Sequence, residues 1–354
     1  MEVQTEKTRL LSQREYSSKT KVYTGNAFRR ISVGLLVIGL TTIGIQFLVG
    51  FLLGLLQTKG IFMMENDWLL WFLSFLPLYC IGIPLGVLVM KGVPKENLCK
   101  RNFTTYDPET ERVLDYKTTK DMGVKNFLAA LLVCFPIMYI GNIIGVVLSM
   151  LVSGGTAVNP LNEMLEDMDL VMALIPVVVA PIMEEFVFRK QIIDRCGKYG
   201  EKTAILFSGL TFGLFHMNLF QFFYAFGLGL LFAYVYTRTG KLRYTVAMHM
   251  IVNFMGGVIA PWVLTQSGLD LSGEAEGSIF MNPSSGMIIY MVYAVLNLIL
   301  MIAGIVVFIL KVSKLTFYPA PMELQKGTRF KTVYLNIGFI LFLIFSLIFF
   351  VLNI

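Results

Sequence analysis

The stretch APIMEEFVFRK, residues 180–190, sets two adjacent glutamates and an arginine at the end of a run that otherwise reads as hydrocarbon. The chain holds only two histidines, His216 and His249, and both also fall inside apolar runs. His216 follows Phe212 by four residues and His249 precedes Asn253 by four, a spacing that puts each pair on one helical face. Ionisable groups at membrane depth are costly, so they face a bundle interior and mark functional sites. A carboxylate can take a proton from water as a general base. Imidazoles can orient that water, bind a metal or donate to a developing oxyanion, and an asparagine adds a neutral donor. Together the set suits hydrolysis of an amide. No serine or cysteine stands beside a histidine as a nucleophile, and the HExxH signature of soluble zinc proteases is absent.

Spacing also divides labour within EEFVFR. Glu185 and Arg189 share a helical face, so the arginine can neutralise that carboxylate, while Glu184 projects about 100° away and is left free to act. Pro176 and Pro181 precede the pair and are expected to kink their helix. Inside a membrane such a break is tolerated where the freed backbone is buried in protein or lines a wet cavity, so the carboxylates should border a polar chamber.

The elements that must position these groups are membrane helices. With 56% hydrophobic and 15% charged residues and a mean hydropathy of +0.71, the chain lies outside the range of ordinary soluble domains. Nine apolar stretches long enough to approach or cross a bilayer occur near 31–56, 68–90, 126–152, 170–189, 203–217, 220–236, 244–264, 287–310 and 332–352. The expected fold is all-α, a polytopic bundle of eight to nine spans around a membrane-embedded polar cavity.

Lys and Arg concentrate in 1–30, 91–125, 189–202, 238–243 and 311–331, whereas 153–169 and 265–285 carry acids and none of either. Basic loops stay on the cytoplasmic side, so the amino terminus is expected inside and the carboxyl terminus outside. The net charge of +6 then faces anionic lipid. No basic segment is long enough to be a nucleic-acid-binding domain. No small-residue cleavage site follows the first span, which argues against a cleaved signal peptide. Cys80, Cys99, Cys134 and Cys196 lack metal or redox spacing and read as packing residues. The loop 91–125 reads as a connector with a turn at Asp107-Pro108, and Gly141 with Gly145 would allow two helices to approach closely.

Taken in order, Glu184-Glu185 with Arg189 (EExxxR), Phe212 with His216 (FxxxH) and His249 with Asn253 (HxxxN) resemble the motifs of the CAAX-protease and bacteriocin-processing (CPBP, or Abi) family of intramembrane proteases. The resemblance covers roughly residues 125–264 and implies a peptide-bond hydrolase. In the family the first glutamate and the histidine of the second motif activate water, which implies those roles for Glu184 and His216. The histidine and asparagine of the third motif would hold the oxyanion, here His249 and Asn253. The implied catalytic set is therefore Glu184, Glu185, His216, His249 and Asn253, supported by Arg189 and Phe212. A metal-dependent account of the family also exists. It implies one divalent ion, zinc by preference, held by Glu184, His216 and His249 with one position open, and the two accounts stand side by side.

On this reading the chain has a basic tail (1–30), amino-terminal spans with their loop (31–124), a CPBP-like core (125–264), and an external loop with carboxyl-terminal spans (265–354). The expected home is a bacterial plasma membrane and the expected partners are the bilayer and a peptide or membrane-protein substrate, with the oligomeric state left open. A proton-coupled transporter would also use intramembrane carboxylates and histidines, but the inverted repeats of that class are not visible. A non-catalytic immunity or scaffold protein of the same fold would carry the same motifs. Depth imposes one further requirement. A helix ending at Arg189 would leave Glu184 near the membrane surface while His216 lay about 20 Å deep at 1.5 Å per residue. The helix is therefore expected to run on through KQIIDRC to Cys196 before Gly197 ends it.

Overall fold

The structure, a computed structural model, describes residues 21–59, 73–107, 112–117, 119–159, 172–268, 284–318, 320 and 322–353. Most of the expected basic tail, Pro108 of the expected turn and most of the acid-rich loops 153–169 and 265–285 lie outside them. Among the described residues six helices are long and apolar enough to cross a membrane: α1 (Lys21–Thr58), α2 (Leu73–Met90), α3 (Val124–Val152), and, further on, α6 (Leu219–Thr239), α7 (Leu242–Ser267) and α8 (Ser285–Val312). A bent pair, α9 (Lys326–Tyr334) and α10 (Ile337–Leu352), gives a seventh. The stretch 332–352, expected as one span, is thus bent by 59° at its start. Asn336 stabilises the break, accepting from the Phe339 amide at 3.0 Å and donating to the Val333 carbonyl at 2.7 Å.

Two of the nine expected spans differ from the rest, and they hold the first two motifs. The first is α4, a continuous helical run over 175–196 that carries Glu184, Glu185, Arg189, Lys190, Asp194 and Arg195. The second is α5 (Glu201–Phe215), only 15 residues long. The run to Cys196 followed by a short turn at Gly197–Tyr199 matches the extension that depth required. Glu184 lies about 18 Å from the end of α4 and His216 about 22 Å from the start of α5, so the two can meet.

The connector 91–125 departs from an all-helical reading. It contains an antiparallel hairpin, β1 (Asn102–Asp107) and β2 (Arg112–Lys117), in a register running from Asn102 opposite Lys117 to Asp107 opposite Arg112.

Prolines shape the helices in a repeated way. A wide π-type turn precedes Pro84 in α2, Pro181 in α4 and Pro261 in α7. In each the residue just before the proline donates five residues back: Ile83 to Leu78, Ala180 to Ile175, Ala260 to Met255. A proline ring clashes with the carbonyl four residues back, and widening the turn relieves that clash.

Polarity runs inward. Phe47 and Phe51 of α1, Ile143 and Leu151 of α3 and Val292, Ile299 and Ile309 of α8 face outward, as lipid-contacting side chains do, whereas Glu185, Arg189, Ser208, Thr245 and His249 are buried. Lipid is as apolar as leucine, so close packing, rather than transfer from water, holds such helices together. Gly141 and Gly145 of α3 serve that purpose, because an added Cβ would lie 2.5 Å from the Tyr224 amide nitrogen or the Phe220 carbonyl oxygen of α6. One buried cluster joins α1, α4, α5 and α10 through Phe28, Phe188, Phe207 and Phe342. A second joins α3, α6 and α7 through Cys134, Phe232 and Met248. Phe212 of the second motif belongs to the first cluster.

Candidate active site

The buried charge on α4 is fully partnered on one side. Arg189 donates from Nε and Nη2 to both oxygens of Glu185, at 2.9 and 3.0 Å, and the two side chains have no exposed surface. Its remaining Nη1 donates to Ser208 Oγ at 3.1 Å, and that hydroxyl donates to the Phe188 carbonyl at 2.8 Å. The guanidinium also lies 4.7 Å from the centre of the Phe212 ring, a cation–π contact that strengthens where water is excluded. This gives the phenylalanine of the second motif a task, since the same ring meets His216 edge-on at 4.8 Å and His249 at 5.7 Å.

Glu185 takes a third contact from α7, where His249 Nδ1 lies 3.2 Å from Oε1. A carboxylate only accepts, so Nδ1 carries the proton and Nε2 is turned the other way. There it stands 3.8 Å from Glu184 Oε2. Glu184 is the open member of the pair: its side chain keeps 19% of its surface exposed, while Glu185 keeps none. His216 is oriented by the same logic. Its Nδ1 lies 2.8 Å from the Phe212 carbonyl, which can only accept, and the Nε2 lone pair is left for a proton or a water hydrogen.

Asn253 has a structural partner. Its Nδ2 donates to the Pro176 carbonyl at 2.8 Å. The wide turn of α4 pairs Ala180 with Ile175, and the next donor in that register would be Pro181, which has no N–H. The asparagine amide fills the gap. Helix α7 therefore grips α4 twice, at Pro176 through Asn253 and at Glu185 through His249, and one Asn253 amide proton remains for other use.

Residues 166–255, which span all of these groups, match the family model described as Rce1-like, type II CAAX prenyl endopeptidase. The match covers the stretch that holds all three motifs. YdiL of Bacillus subtilis (strain 168), a protein named as a candidate membrane peptidase, is 34% identical over 86 residues, which is 23% of this chain and 34% of YdiL. The chain thus spans about a third of that relative's length. No solved structure matches the chain.

Within this stretch the three motifs converge, and helical spacing could have found two more members. Ser208 lies four residues before Phe212 on α5. Thr245 lies four before His249 on α7, fully buried and within reach of Glu185. Tyr79 of α2 and Tyr224 of α6 also stand close enough to feel the Glu184 charge. Sequence offered no sign of them, because each sits alone in an apolar run. Among the described residues no three His, Cys, Asp or Glu side chains converge closely enough to hold a metal ion. As placed, Glu184, His216 and His249 do not form a three-donor zinc site.

Proposed function

We propose that the protein is an intramembrane endopeptidase in which Glu184 and His216 activate water against a peptide bond. One observation carries the assignment: Glu185 is saturated by Arg189 and His249, so Glu184 is the carboxylate with a free oxygen to take a proton. Water held between Glu184 and His216 Nε2 gives a proton to Glu184 as its oxygen attacks the scissile carbonyl carbon. The carbonyl becomes an oxyanion facing His249 and the second Asn253 amide proton. Donation from His249 to that oxyanion requires a proton on Nε2 as well as on Nδ1. Glu184 then returns its proton to the leaving nitrogen as the C–N bond breaks. The carboxylic acid and amine products leave Glu184 ionised again.

The proposed substrate is a peptide or membrane protein presented within the bilayer, and the proposed home is a bacterial plasma membrane with the amino terminus inside. Peptidomics of cells carrying the native chain or Glu184→Gln tests the activity. The reading expects peptides whose level depends on Glu184, and identical peptide profiles would contradict it.

A further inference from the structure

Helix α5 ends at Phe215 and α6 begins at Leu219, so three residues, His216 itself, Met217 and Asn218, reverse the chain. Met217 in that link has a φ of 52°, and it is the one non-glycine among the described residues with positive φ. The left-handed region crowds a Cβ against its own backbone, so a methionine persists there only where the surroundings hold it.

Distant parts of the chain do so. Asn353, which caps α10, donates from Nδ2 to the Met217 carbonyl at 2.8 Å. That carbonyl lies just past a helix end, where backbone acceptors lack intrahelical partners. The Met217 side chain and the Phe345 ring of α10 both lie against Gly39 of α1. A Cβ built on Gly39 of α1 would lie 3.1 Å from Met217 Cε and 2.4 Å from the Phe345 ring of α10. On the far side of the link, Asn218 Oδ1 accepts from the Phe220 amide at 2.9 Å and starts α6. The direction of the His216 ring depends on the backbone at 216 as well as on its bond to Phe212. If Met217 relaxed to negative φ, the link would swing and carry Nε2 away from Glu184.

We propose that Asn353 is a positioning residue for His216, acting through the Met217 carbonyl, so that α10 completes a site whose motifs all lie on α4, α5 and α7. The inference rests on the role given above to His216. It also says that the core matched by the family, residues 166–255, needs a residue from far outside it to hold its histidine in register.

The full chain in detergent tests this with His216→Ala, Asn353→Ala, Met217→Gly and the double variant Asn353→Ala/Met217→Gly. Two readouts serve: hydrogen–deuterium exchange over residues 214–219, which needs no substrate, and cleavage of a peptide found to depend on Glu184 in cells. Asn353→Ala should speed exchange in that segment roughly tenfold without affecting α3, and lower kcat roughly tenfold with KM within about twofold. The double variant should recover both, because glycine adopts the left-handed conformation without steric cost. Met217→Asn, which keeps a side chain yet tolerates that conformation, should rescue similarly if glycine loosens the packing against α1. Unchanged exchange and kcat in Asn353→Ala, with His216→Ala inactive, overturns the inference alone. Failure of both rescues also overturns it, since Asn353 would then act by some other route. Near-normal cleavage by His216→Ala would instead overturn the reading of the site.

Discussion

Arg189 holds both oxygens of Glu185, at 2.9 and 3.0 Å, in a fully buried pair, and thereby separates two adjacent glutamates into a paired one and an open one. Arg189→Ala should strand a buried carboxylate at a cost of roughly 3–5 kcal/mol. Thermal stability in detergent should fall sharply, and adding Glu185→Gln should recover part of the loss. Equal stability of the single and double variants would show that the pair is not what holds α4 in place.

Asn253 replaces a backbone donor that Pro181 lacks, so Asn253→Ala should leave the Pro176 carbonyl unpaired and cost about 1–3 kcal/mol. Pro181→Ala restores an N–H in that turn and should return part of the stability in the double variant. Additive losses in a double-variant melting series would contradict the compensation.

Much of this was legible in the sequence for simple physical reasons. Glu185 and Arg189 had to meet because four residues separate them on one face, and the charge they carry could not stay unpaired in hydrocarbon. The extension of α4 to Cys196 followed from depth alone, since Glu184 and His216 must lie at similar distances from one end of the bundle. Other contacts depend on which helices become neighbours, which spacing along one helix does not encode. The bond from Asn353 to Met217 joins residues 136 apart, and the pairing of Asn253 with Pro176 requires knowing that α7 lies along α4. The hairpin in 91–125 also escaped notice, because its strands are short and polar within a charged loop.

Metal content separates the two accounts of the family chemistry. The proposed mechanism expects purified protein that cleaves its substrate with no stoichiometric zinc or other divalent ion, and unaltered turnover after dialysis against a chelator. One bound ion per chain, with activity lost on its removal and restored on its return, would replace glutamate-activated water with metal-activated water.

Orientation follows from the Lys and Arg distribution. With the four native cysteines replaced, Thr105→Cys should resist a membrane-impermeant thiol reagent in intact cells and Ser272→Cys should react. Labelling of Thr105→Cys from outside would reverse the topology.

The central claim is that Glu184 accepts the water proton, and Glu184→Gln tests it most directly because the amide keeps the shape of the side chain but cannot take the proton. Cleavage and melting temperature should be measured on the same preparation. The account predicts loss of cleavage by at least about 100-fold with melting close to that of the native chain, since Glu184 is not the partner of Arg189. Near-normal cleavage by Glu184→Gln would contradict it, leaving the two glutamates as parts of a buried ion-pair network that joins α4 to α7.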